Sequence, residues 1–239
     1  MNTAESVQQL VQQLQALGLD TYRNTLIKHG AQEPIFGVKI EAMKKLMKPY
    51  KGDLDFACAL YDTGIYDAQY MAGLLADGKR MSKAQLQHWI ETANCNAIRC
   101  YSVAWVATES PFAGELINEW GSSTQEDIAA TGWATLISYI SVTPDTDLDL
   151  AWLANLLAYV QASIHQQPNE VRSGMNSFVI ALGSFVAPLS EAAMQAGEAI
   201  GMVSVDVGDT SCKVPFAPDY IRKVAARGSI GKKRKEVKC

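Results

Sequence analysis

Trp105 and Glu109 stand four residues apart, a spacing that sets both on one face of a helix. An aromatic face beside a carboxylate can hold a cationic sugar or base, the ring by cation–π attraction and the carboxylate by charge. Glu109 also directly precedes Ser110-Pro111, where a solvated helix end accounts for it too. Arg99 and Cys100 form a second pair, because a guanidinium beside a thiol lowers its pKa and makes it a nucleophile. The commoner arrangement is a half-buried cysteine with a surface arginine. Asp145, Asp147 and Asp149 open like a calcium loop. Such a loop needs Gly at its sixth position and Glu at its twelfth, and here those are Leu150 and Leu156. Helix capping explains the aspartates instead. Gly228-Ser229-Ile230-Gly231-Lys232 lacks the spacing of a phosphate-binding loop, although small glycines beside Lys232, Lys233, Arg234 and Lys235 allow a backbone to approach a phosphate. His29, His88 and His165 are far apart, and no cysteine pair has zinc spacing. No metal and no cofactor is expected.

Helical periodicity supplies the elements that must position these residues. Leu10, Val11, Leu14 and Leu17 make an apolar stripe ending at Gly18. Ile40, Met43, Leu46 and Met47 make another, ending at Pro49. Phe56, Ala57 and Leu60 run to Gly64, and Met71, Leu74 and Leu75 to Gly78. Ser82 reads as the N-cap of a helix through Leu86, Trp89 and Ile90. Further helices are expected at about 97–108, 111–121, 124–142, 147–163, 169–186 and 189–201, and a short one near Tyr220–Ala226. Only Val203, Val205 and Val207 alternate with a period of two, as a strand does. Each of the five tryptophans (Trp89, Trp105, Trp120, Trp133, Trp152) lies in a helical segment, where core packing is the ordinary role; one or two facing a cleft would offer stacking surfaces. The pattern predicts an all-α chain of stacked antiparallel helix pairs, and periodicity alone leaves a bundle and an α-solenoid open.

Charge divides the 239 residues unevenly. The net charge is −4, yet Lys213 to Cys239 holds nine Lys/Arg and two Asp/Glu, while the other 212 residues have a net of −11. A basic end on an acidic body suits an anionic partner, and it also suits a solvated tail. The longest apolar runs, such as Phe178–Leu182, are far below the roughly 20 residues of a membrane span. The first residues have no basic and apolar leader pattern. An odd number of cysteines (Cys58, Cys95, Cys100, Cys212, Cys239) without a C-x-x-C pair suits reduced thiols in a cytoplasm.

Phe36-Gly37-Val38 through Met43-Lys44-Lys45-Leu46 resembles the AlkD-like DNA alkylation repair family, whose members carry Tyr-Gly-Val before a Leu-Arg-x-Leu-Ala-Lys helix. Ala59-Leu60-Tyr61-Asp62-Thr63-Gly64-Ile65-Tyr66-Asp67-Ala68-Gln69 resembles the family's Ala-Leu-Trp-x-Ser-x-x-Tyr-Glu-x-Arg, and Met71–Ala76 its continuation. The resemblance covers residues 1–200 and is most specific in the first third. The closing segment, with Gly208–Pro215 and Gly231–Lys235, looks like the tail of one branch. It implies a curved HEAT-like, ARM-type α-solenoid at residues 1–202. A short extended segment and a basic tail follow at 203–239. The concave face would hold duplex or structured DNA. It further implies a DNA N-glycosylase acting on cationic alkylpurines, which stabilises the oxocarbenium charge with a carboxylate and aromatic faces.

The departures bear on that activity. The family's catalytic helix carries Trp-Asp-x-x-Asp, but the corresponding segment here is Cys95–Tyr101, with no Asp or Glu between Thr92 and Thr108. The family's paired arginines have no counterpart in Asp127–Thr131, and its late tryptophan is matched only by Phe178. The catalytic residues are therefore not carried over, and Trp105 with Glu109 is an offset substitute. The expectation is a DNA-binding family member, favoured as a structure-specific binder without base excision. It would be a cytoplasmic, nucleoid-associated monomer that needs no membrane. Its phosphate contacts would be Lys44, Lys45, Lys48 and Lys51, then Arg222, Lys223, Arg227, Lys232, Lys233, Arg234 and Lys235. The alternative is a HEAT-repeat scaffold whose concave face binds a protein, which the acidic body suits.

Overall fold

The computed structural model describes residues 2–238; Cys239 lies outside the described residues. Helices α1 (Thr3–Ala16), α2 (Asp20–Lys28), α3 (Ile40–Leu46), α4 (Leu54–Tyr61), α5 (Tyr66–Leu75), α6 (Lys83–Thr92), α7 (Asn96–Ile98) and α8 (Ala104–Glu109) come first. They are followed by α9 (Ala113–Gly121), α10 (Glu126–Val142), α11 (Leu150–Ser163), α12 (Asn169–Phe185), α13 (Ser190–Ile200) and α14 (Ala217–Ala226). Between α7 and α8 the chain makes a π-helical turn, Arg99–Val103, so residues 96–109 form one interrupted helix. No single helix among the described residues is long and apolar enough to cross a membrane.

The chain divides into two compact units. The first runs to Gly114 and includes 208–210 and Lys238; the second holds 115–207 and 211–237. In the first unit, side-chain caps begin α1, α4 and α6. The Asn2 side chain and Glu5 close a capping box on α1, Asp53 Oδ1 accepts from Phe56 N at 2.9 Å on α4, and Ser82 and Gln85 close a second box on α6. Its core gathers Leu10, Leu14, Leu60, Met71 and Trp89, all essentially inaccessible. Helix α2 is absent from the periodic reading for a physical reason. None of its residues is fully buried, so it leaves no apolar stripe.

In the second unit α12 packs against α10, α13 and α14. The core runs from Trp133, Leu136 and Ile140 through Leu157, Phe178 and Leu182 to Ile221. Trp133 and Phe178 meet with ring centroids 5.4 Å apart. The alternating Val203–Val207 stretch is not a strand. It is extended, and no strand occurs among the described residues. A side chain takes the place of a partner strand: Asn169 Oδ1 accepts from Asp206 N at 2.7 Å, and its amide donates to Asp206 O at 2.9 Å. Val203 is buried, so the alternation records a segment laid on the helical core with one side inward.

Candidate nucleic-acid interface

The segments that carry the family resemblance meet in a buried polar network of the first unit. Asp67, fully buried on α5, accepts from three successive backbone N–H groups: Phe36 at 2.6 Å, Gly37 at 3.3 Å and Val38 at 2.7 Å. A carboxylate that replaces its lost hydration with several N–H donors can stay buried. Gly37 has φ +78°, and a Cβ there would come within 2.5 Å of Arg23 N; only glycine lets the loop wrap the carboxylate. Two residues on, Gln69 donates to Thr92 O at 3.0 Å and accepts from Asn94 N at 2.7 Å. Asn94 in turn pairs both ways with the Gln32 backbone at 2.9 Å. Tyr61 stacks on Trp89 at 4.0 Å and donates to Trp89 O at 2.6 Å, and burial raises its phenol pKa. These residues set the loop and the start of α7 in place. They are scaffold, not chemistry.

The helix they position is the one expected to carry catalysis. Arg99 lies in the π turn, and its Nε donates to Ile90 O at 2.9 Å, which ties the guanidinium to the end of α6. Cys95 is buried, and burial raises its thiol pKa. The Cys100 thiol donates to Asn96 Oδ1 at 3.4 Å. Trp105 is only 5% exposed. Its ring meets the edge of Tyr70 at 5.7 Å and the tilted ring of Tyr101 at 5.7 Å; Tyr101 is exposed. Glu109 is committed elsewhere. Its Oε2 lies 2.8 Å from Lys238 Nζ and accepts from Gly78 N at 3.3 Å, while Lys238 also donates to Ala76 O. Gly78 permits that contact, since a Cβ there would fall 2.3 Å from Val106 O. The Trp105–Glu109 pair thus has a packed ring and an ion-paired carboxylate. Among the described residues no group of three or more metal-ligating side chains comes together, and no disulfide joins the described cysteines.

The basic residues sort into two kinds. Lys44, Lys45, Lys48 and Lys51 are all exposed at the end of α3 and just beyond. Arg80 stands beside them, donating to Gly52 O at 2.8 Å. Sequence reasoning missed Arg80, because it is distant along the chain. In the second unit Lys223, Arg227, Lys232 and Lys235 are exposed, whereas Arg222 is ion-paired with Asp219 at 2.8 Å and with Glu198. Lys233 is 18% exposed; it lies 2.8 Å from Asp145 Oδ1 and donates to Ile140 O at 2.9 Å. The backbone of Arg234 donates to Ser141 O at 2.8 Å, and its guanidinium to Val237 O at 3.1 Å. Val237 is buried. Residues 232–238 are a laid-down segment with anchored cations (Lys233, Arg234, Lys238) and outward ones (Lys232, Lys235), not a solvated tail. The aspartate expected to act only at a helix start, Asp145, also holds one of those anchors.

Among the clefts lined by described residues of the second unit, two bear on the site. One, of about 240 Å³, is lined by Trp133, Trp152, Leu156 and Tyr159 with Asn118 and Ser122. The other, of about 400 Å³, lies along α10, α12 and α14 and includes Tyr220 and Lys232. Tyr220 was not singled out by its sequence context; its exposure marks it.

The sequence pattern of the family described as DNA alkylation repair enzyme matches residues 10–205. A Listeria monocytogenes protein is 26% identical over 224 residues, covering 92% of this chain and 97% of that one. A Listeria innocua protein is 25% identical with the same coverage. Among solved structures, one chain is similar at 33% identity and a TM-score of 0.90, covering 97% of this chain and 99% of that one. It comes from a new family of proteins related to the HEAT-like repeat DNA glycosylases with affinity for branched DNA structures. The all-α architecture is thereby a HEAT-like repeat fold.

Proposed function

The chain belongs to the DNA alkylation repair enzyme family, and from that premise we propose that it binds branched DNA without excising a base. The observation that carries this reading is the state of the helix at 96–109. The segment that resembles the family's catalytic helix, Cys95–Tyr101, holds no Asp or Glu, and its Arg99 is tied to Ile90 O. The nearest acid along the helix, Glu109, is held by Lys238. A site that must stabilise a developing oxocarbenium ion needs a carboxylate aimed at the sugar. A glutamate neutralised by an ammonium at 2.8 Å offers little field for that task. Kinship to a solved protein with affinity for branched DNA structures supports the binding half of the reading. So do the exposed Lys44, Lys45, Lys48 and Lys51 of the first unit and Lys223, Arg227, Lys232 and Lys235 of the second. Lys233 and Arg234 serve the binding surface by fixing the segment that presents Lys232 and Lys235.

The test pairs two assays on one preparation. A four-way junction should bind more tightly than the linear duplex of the same sequence. Its log affinity should fall linearly with log salt, by about 0.9 for each phosphate contacted. Incubation with 7-methylguanine DNA should release no base. Equal affinity for junction and duplex would remove the branched-DNA reading, and base release above a no-protein control would restore the glycosylase.

A further inference from the structure

The larger of the two clefts described above has a composition that the binding of paired DNA does not use. Its walls are apolar, with Ile137 from α10, Ile180 from α12 and Val224 from α14. Lys232 is its only charged lining residue among the described ones. Tyr220 also lines it, and 48% of that residue is exposed. Ser184 lines it too, with a buried hydroxyl that has no hydrogen-bond partner among the described residues.

Helical spacing adds to the charge. Tyr220, Lys223 and Val224 fall at i, i+3 and i+4 on one face of α14, and Arg227, its C-cap, follows at i+7. Lys223 and Arg227 are exposed and flank the residues that line the cleft. Arg222 turns to Asp219 and Glu198, so those two acids are matched by a different cation. The result is an apolar hollow with an aromatic ring, bordered by Lys223, Arg227 and Lys232.

From this we infer that the cleft receives one unpaired nucleotide at the branch point of the DNA. The base would lie against Tyr220 and the adjoining phosphate against Lys232, Lys223 and Arg227. The inference rests on the branched-DNA reading and names the part of the branch that is recognised. Stacking of bases on an aromatic side chain beside a cationic track is how single strands are held without regard to sequence. A base inside a continuous duplex is stacked on both faces and cannot present itself to a ring in a hollow; an unpaired one can. A volume of about 400 Å³ lies within the ordinary range for a small-molecule or nucleotide-sized site. The cations disfavour an apolar peptide as the occupant, since such a ligand would leave them unmatched.

Two three-way junctions test the inference with the full chain. One is fully paired, and the other is identical except for two unpaired nucleotides at the branch, one of them 2-aminopurine. The unpaired junction is expected to bind about tenfold more tightly, within the range of a single base–aromatic stack. Its fluorescence should be quenched on binding. Tyr220→Leu should abolish both the preference and the quenching, and leave affinity for the paired junction within about twofold, because stacking alone is lost. Tyr220→Phe should keep both. Equal affinity for the two junctions, or a preference that survives Tyr220→Leu, overturns the cleft assignment while the branched-DNA reading stands. If neither junction binds better than linear duplex, both fall together.

Discussion

The network around Asp67 and the segment from Lys213 to Lys238 treat charge in opposite ways. Around Asp67 one buried carboxylate is spent wholly on backbone N–H groups, and the neighbouring Gln69 and Asn94 use donors and acceptors alike. At the C-terminal end the cations are divided. Lys233 and Lys238 are anchored by Asp145 and Glu109, while Lys223, Arg227, Lys232 and Lys235 face outward. The first arrangement determines a loop shape and can tolerate almost no change. The second determines only a path, and on the function proposed above its outward members would matter to binding rather than to stability. Residue type does not separate the two roles; burial and partner do.

Four experiments put pressure on that contrast. Asp67→Ala strands three N–H groups, two of them on residues that are buried, and should cost about 3–5 kcal/mol in urea unfolding. A loss below about 1 kcal/mol would show the loop to be held by packing instead. Lys238→Met should cost less, about 1–2 kcal/mol, because Glu109 keeps some contact with water and can rehydrate. The same variant removes the ammonium from Glu109 but leaves its bond from Gly78 N and the Trp105 ring packed on Tyr70, so an assay for release of 7-methylguanine should still be blank. Release by this variant would make Lys238 the mask of a working acid. Lys45→Gln and Lys48→Gln should leave stability within about 0.5 kcal/mol. Each should reduce the salt slope of junction binding by about 0.9 if it contacts a phosphate; an unchanged slope would remove that lysine from the interface.

The smallest effect concerns Cys58. Burial, then Asp62 and Asp55, push its thiol up to about 11. A thiol raised from its ordinary value of 9.0 stays neutral in the folded chain while the unfolded chain loses its proton. Its contribution is therefore complete below pH 9 and is lost as pH climbs to about 11. Unfolding midpoints should decline shallowly over that window, and Cys58→Ala should flatten the decline. At pH 8 an aromatic disulfide reagent should modify the exposed Cys212 well before Cys58.

The sequence made most of the helices legible because they bury one stripe each. The periodicity around Leu10–Leu14 and Leu86–Ile90 marks the core residues the structure buries. Helix α2 was hidden by its lack of any buried residue, and Val203–Val207 imitated a strand because an extended segment on a core also alternates. The charge split pointed to the C-terminal end. It could not distinguish Lys232 from Lys233, since adjacent residues with the same side chain differ only in where the backbone turns them. The family motif at Phe36–Gln69 was visible as a pattern. Its meaning, a carboxylate wrapped by a glycine-bent loop, needed the fold. Glu109 as a substitute acid was a spacing argument, and spacing does not see a lysine 129 positions later.

The π turn at Arg99–Val103 has a consequence in helical phase. A π turn accommodates one more residue than an α turn, and one residue is worth about 100° of rotation. Everything downstream, Trp105 and Glu109 included, is therefore rotated by about that amount from where an unbroken α-helix starting at Asn96 would place it. The faces presented before and after the turn answer to different registers. A single-residue deletion within 99–103 would carry the Trp105 ring away from Tyr70 and Glu109 away from Lys238, a change that no substitution at either position can reproduce. Length, as much as composition, sets the surface this helix offers.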